Sequence, residues 1–166
     1  MMDYARANSV RLKLIVYVGD SRDVVKRILT NHCSGNVEAS ALRRYIAEAK
    51  GYKIKSTKRS SGSTRVRIDL PSPRTGEMNV SNYIRSGNWR YVLCDSYSEA
   101  NDFQWYTIEK LNPFLNRDRK PWDHGKIMRY QTLLSRLTNS MGLNCDELKG
   151  IQSGPGVYVL YHQQRP

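Results

Sequence analysis

Apolar and polar positions along the chain follow two periods, one of about two residues and one near 3.6, and the changes between them mark out the elements. Residues 12 to 18, LKLIVYV, are β-branched and aromatic and stop at Gly19, which predicts a strand running into a turn. Asp20 or Ser21 is placed to cap a helix over 22 to 31, where Val24, Val25, Ile28 and Leu29 recur at helical spacing. Arg27 falls at the edge of that stripe, between core and solvent. After Ser34, Gly35 and Asn36, a second helix runs to Lys50 on the face Leu42, Tyr45, Ile46 and Ala49, and Gly51 stops it.

The period then shortens. YKIKS at 52 to 56 and STRVRIDL at 63 to 70 alternate polar and apolar around the basic tip Lys58, Arg59, Ser60, Ser61, Gly62, which predicts a hairpin with a cationic outward row. Pro71, Pro73 and Gly76 read as a loop before a short helix near 79 to 86 and the strand WRYVLC at 89 to 94. A helix over about 98 to 111 places Gln104 on one stripe with Ile108 and Leu111, a polar amide on the inward side. The segment at 112 to 122 reads as a loop. A long helix at 125 to 141 follows, with the stripe Ile127, Tyr130, Leu134, Leu137, Met141, and the β-rich GVYVLYH at 156 to 162 closes the chain. The predicted class is α+β: a small central antiparallel sheet flanked by helices, with an inserted basic hairpin, in one domain spanning 1 to 166.

Charge narrows the partner. Lys and Arg outnumber Asp and Glu by 27 to 15, a net charge of +12 spread through the chain, which points to a polyanion. No apolar run approaches the roughly 18 residues of a membrane span, and MMDYARANSV lacks the apolar core of a signal peptide. Cys33, Cys94 and Cys145 lie far apart without metal-ligand spacing, so neither a zinc site nor a disulfide is expected, and a reducing cytoplasm fits.

Two strands carry a more specific signal. VYV before Gly19 resembles the YIG motif, and Gly156, Val157 and Tyr158 resemble GIY. Arg27 stands ten positions after Tyr17, where GIY-YIG nucleases carry their helix arginine, and LNPFLN matches their closing Pro and Asn motif with Asn116. In that family GIY comes first; here it comes last, and moving residues 117 to 166 ahead of Met1 restores the usual order. Such a permutation is acceptable where the new ends, HQQRP and MMDYARANS, form an exposed hairpin tip.

The resemblance implies roles. Tyr17 and Tyr158 would lie side by side, ordering the attacking water and the scissile phosphate, and Arg27 would stabilise charge on that phosphate. His32 is a candidate too, although it stands five residues after Arg27 where relatives place a His or Tyr four residues on, a position held here by Asn31. Asn116 would brace the site. The metal glutamate position falls nine residues before Pro113, on Gln104, where one divalent cation per site, Mg²⁺ or Mn²⁺, would be expected. An amide keeps the shape of a carboxylate but not its charge, so the change is a substitution made to trap a DNA complex, a natural loss of catalysis, or a site shifted to Glu99, Asp102 or Glu109.

The segment 52 to 90 is the expected DNA-recognition insertion, with Lys53, Lys55, Lys58, Arg59, Arg65, Arg67, Arg74 and Arg85. The implied function is a restriction-type endonuclease on double-stranded DNA, impaired by Gln104, acting as a possible homodimer on a near-palindromic site. The alternatives are a structure-specific repair nuclease and a non-catalytic DNA-binding module.

Overall fold

The computed structural model describes residues 13–166. In chain order these form β1 (Leu14–Ser21), a short helix α1 (Val24–Lys26) continuing into a π-helical segment (Arg27–Cys33), α2 (Ala41–Ala49), β2 (Ile54–Lys58), β3 (Thr64–Ile68), α3 (Pro73–Arg85), β4 (Asn88–Leu93), α4 (Tyr97–Leu111), a 3₁₀ turn (His124–Lys126), α5 (Ile127–Asn139) and β5 (Gly156–His162). The fold is α+β, with a three-stranded antiparallel sheet in the order β1-β5-β4 and a separate two-stranded sheet β2-β3.

The last strand of the chain is therefore the middle of the sheet. All seven residues of β5 are buried, which explains why its sequence is continuously apolar and aromatic instead of alternating. Tyr158 and Leu160 face a core built with α1, the π-helical segment, α2 and α3; Val157, Val159 and Tyr161 face a second core with α4, α5 and Trp122. The GIY-like and YIG-like strands are adjacent, and the end of β5 meets the start of β1 at Leu14↔His162. The expected hairpin tip lies at that end; its N-terminal part, MMDYARANS, falls outside the described residues.

Several boundaries differ from expectation for identifiable reasons. Strand β1 runs on to Ser21, so the cap of α1 is Asp23, whose side chain accepts from the Lys26 amide. Pro73 sits in the first turn of α3 and the helix begins there rather than at 79, because proline lacks an amide hydrogen that the first turn would leave unpaired anyway. Gly76 lies within α3, where a Cβ would come 2.8 Å from Ile68 of the hairpin. Both α3 and the opening of β4 at residue 88 thus belong to the body, and what projects from it is the hairpin 54–68. On α5 the buried positions are Tyr130, Leu133 and Leu137, while Ile127 is exposed, and the helix ends at Asn139, before the exposed Met141.

The cysteine expectation fails. Cys33 and Cys145 form a disulfide across a sequence separation of 112 residues, with Cα atoms 6.4 Å apart, and Cys94 is free and buried. Sequence distance hid the pair because the fold packs the end of the π-helical segment against the turn after α5. No helix among the described residues is long and apolar enough to cross a membrane.

Candidate active site

Three elements bring the predicted residues together. Tyr17 comes from β1, Arg27 and His32 from the π-helical segment, and Tyr158 from β5. The tyrosines share a face but are offset: Tyr158 pairs with Gly19, whereas Tyr17 pairs with Leu160. They are diagonal neighbours, one register step apart, instead of directly side by side. The Tyr158 ring lies over Gly19, so that a Cβ there would stand 2.5 Å from its Oη. Glycine is required at this position by ring clearance.

His32 is fully buried and takes part in the site despite its spacing. A π-helical turn closes on i→i+5 hydrogen bonds, one residue more than an α-turn, so the residue five after Arg27 occupies the place one turn on. Its Nε2 is 2.7 Å from Tyr158 Oη and its Nδ1 is 2.7 Å from Ser40 Oγ. Ser40 caps α2 by accepting from the Arg43 amide at 3.1 Å, and its hydroxyl retains a hydrogen and a lone pair for Nδ1. The neutral imidazole thus bridges Ser40 and Tyr158, one ring nitrogen donating and the other accepting. Trp89 stacks on the imidazole at 5.7 Å and 9°.

Electrostatics keep this group of side chains neutral around one cation. Burial holds the His32 imidazole well below its ordinary value, with Arg27 and Arg43 pushing the same way. Burial pushes Tyr17 up to about 12, opposed by Arg27. Tyr158 is raised further, again by burial first, and Arg27 is the chief opposing influence. Arg27 is half-buried, at the border of core and solvent, and donates to the Ala39 carbonyl at 3.3 Å. Both phenols are protonated at neutral pH, so the resting site donates hydrogen bonds.

Tyr17 reaches outward into a cavity of about 90 Å³, whose walls include Gln104, Asn116, Tyr45, Trp105, Arg117 and Asp118. Asn116 braces the site: its Oδ1 accepts from Val18 N at 2.8 Å and its Nδ2 donates to Val18 O at 2.9 Å, on the open edge of β1. The amides of Phe114 and Leu115 continue that pairing onto Ile15 and Val16. The loop thereby covers the open edge of β1.

Gln104 is 8% exposed, and its amide has no hydrogen-bond partner among the described residues, so it opens on the cavity. A hard divalent cation needs anionic oxygens here. The other carboxylates of α4 are engaged elsewhere: Glu99 with Arg129 and the Asp95 amide, Asp102 with the Tyr130 hydroxyl and the Asp123 amide, Glu109 with Trp122 Nε1 and Lys110. A site shifted along the helix is therefore not formed. Among the described residues Asp118 is the one carboxylate on the cavity wall, and no group of three or more His, Cys, Asp or Glu side chains is placed to hold a metal. As it stands this donor set does not fit Mg²⁺ or Mn²⁺.

The expected recognition cations are divided. Lys53, Lys55, Arg65 and Arg67 share the outer face of the hairpin, with Lys55 directly opposite Arg67. Like charges facing each other across strands destabilise the free protein and favour an anionic ligand. Lys58 is exposed at the tip, whereas Arg59 is paired with Glu38 at 2.9 Å. Arg74 is at the start of α3; Arg85 is at its other end, about 16 Å along the helix axis, and its charge acts on Asp146. Arg85 does not join the hairpin row.

Sequence reasoning missed Ser40, Tyr45, Trp105, Arg117 and Asp118. Ser40 stands three residues before the amide that it caps, a signal that was there to be read. The basic run after Asn116 was another. Comparison of the chain with protein-family models, with characterised proteins and with solved structures found no match.

Proposed function

We propose that this chain is a double-stranded DNA endonuclease of the GIY-YIG kind, restriction-type in character, whose site is assembled apart from its metal ligand. One observation carries the reading. Tyr17, Arg27 and Tyr158, named from motif spacing across a permuted order, lie together with His32, the half-buried charge of Arg27 acts on both tyrosines, and Gln104 and Asn116 stand on the cavity reached by Tyr17.

In this reading Arg27 sets its fixed charge against a non-bridging phosphate oxygen. Tyr17 holds a water in the cavity, and His32, fixed by Ser40, keeps Tyr158 in place. Asn116 keeps β1 from shifting. A phenol held at about 12 is a poor proton acceptor at neutral pH, and no carboxylate stands at Gln104 to offset that. Activity is severely reduced for this reason. The hairpin's cationic face supplies duplex binding, and cutting both strands favours a homodimer on DNA.

A second reading, a non-catalytic DNA-binding module, is favoured by the same uncompensated Gln104. Plasmid cleavage with Mg²⁺ or Mn²⁺ by the chain and by Gln104→Glu separates the two. Discrete fragments from the variant are expected. An inactive variant that binds duplex like the parent would establish the module.

A further inference from the structure

The basic run after Asn116 does not trail into solvent. Arg117 lies over the Tyr45 ring of α2, 4.1 Å from its centroid, and is paired with Glu48. Lys120 lies over the Trp105 ring of α4 at 5.1 Å and makes none of the described ion pairs. Arg119 turns back onto the Asn116 and Asp118 carbonyls and the Asn112 side chain, which fixes the shape of the loop. Two exposed cations are thus mounted on two half-buried aromatics beside the cavity that holds Tyr17 and the unpartnered amide of Gln104.

Cations lie over rings elsewhere on this chain too, Arg22 over Tyr97 and Arg165 over Phe114 among them, but Tyr45, Trp105 and Arg117 wall the cavity together with Tyr17. An aromatic ring with a cation beside it is the arrangement that stacks a base and holds the adjoining phosphate. With those residues walling one cavity of about 90 Å³, a group held on the rim lies next to Tyr17. We infer that Tyr45, Trp105, Arg117 and Lys120 form a second nucleic-acid contact, a rim that receives the unpaired nucleotide next to the phosphate at Tyr17. The inference rests on the reading of the chain as a nuclease scaffold, and it adds a contact made by neither the hairpin nor the predicted site.

Binding is measured by anisotropy with a short fluorescein-labelled duplex and with its top strand alone, beside tryptophan emission. Single strand should quench the emission of the parent, and Trp105→Phe should lose that quench, because Trp89 and Trp122 are buried. Arg117→Ala/Lys120→Ala, at two exposed positions, should weaken single-strand binding about tenfold and reduce the salt slope by about 0.7 per lost phosphate contact. Lys55→Ala/Arg67→Ala should weaken duplex binding instead. Parent-like single-strand affinity and slope in the rim variant, or a quench that persists in Trp105→Phe, overturns the rim alone. A parent chain that binds neither probe overturns the rim and the proposed function together.

Discussion

Lowering the pH tests the buried histidine directly. His32 is fully buried, bonded on both ring nitrogens and close to Tyr17 and Tyr158, and among the described residues the charges acting on it are Arg27 and Arg43, which oppose an imidazolium. Its folded value lies well below the ordinary 6.5. Between those two values the unfolded chain carries a proton that the folded chain refuses. Stability is therefore fully present above about pH 6.5 and falls as pH drops below it, by about 1.4 kcal/mol per pH unit for one such group. His162, whose value is also lowered by burial, adds to the slope in the same direction. Lowered carboxylates such as Glu99 begin to contribute only at more acid pH.

Urea midpoints read at about pH 7.5, 6.5 and 5.5 measure this slope, and the same series on His32→Gln isolates the residue. The variant should be less stable at every pH because Tyr158 and Ser40 lose geometry. Its slope should nevertheless be shallower by about one proton. An unchanged slope in His32→Gln would show that the imidazole protonates in the folded state, and the neutral relay from Ser40 to Tyr158 would be wrong.

Gly19→Ala should cost about 1 to 3 kcal/mol by overpacking, since its Cβ would meet the Tyr158 hydroxyl; a thermal melt within error of the parent would refute the ring-over-glycine contact. Asn116→Ala removes both bonds to Val18 and should cost about 2 kcal/mol, read by urea denaturation, with a further loss of cleavage in the Gln104→Glu background. Thiol titration of the unreduced, denatured chain should find one reactive cysteine, Cys94. Reduction removes a loop constraint spanning 112 residues and should lower stability by up to about 5 kcal/mol on the chain-entropy argument, read by urea denaturation with and without reductant.

What the sequence disclosed followed from how local each signal was. The hairpin, α2, α4 and both motif strands were legible because alternation, capping and the stop at Gly51 are short-range features. Tyr17, Arg27 and Asn116 could be named as candidates because the spacing that carries the resemblance is short-range within each segment, whatever the order of the segments. His32 was nearly lost because spacing was counted on an α-helix, and the π-helical turn adds a residue that no composition rule reveals. The disulfide and Ser40's bond to His32 depend on which distant segments pack together. The Glu77 contacts below are of the same kind.

Those contacts explain how a small sheet holds a cation at its edge. Arg43 is fully buried and donates to Glu77 and Ser81, and also to the His32 carbonyl at 2.8 Å. Glu77 in turn accepts from the Val37 amide. Two charges from α2 and α3 therefore fix both the end of the π-helical segment and the start of the loop after it. That loop presents the Ala39 carbonyl to Arg27 and the Glu38 carboxylate to Arg59 and the Val66 amide of the hairpin. A cleft of about 850 Å³ runs between the loop and the hairpin, with Glu38 and Arg59 on its walls. Removing Glu77 would leave the fully buried Arg43 charge uncompensated, which is costly. The position of Arg27 is thus set by the core from one side and by the basic hairpin from the other, through a loop only a few residues long. An anion that displaced Glu38 from Arg59 would act next to the carbonyl that Arg27 holds.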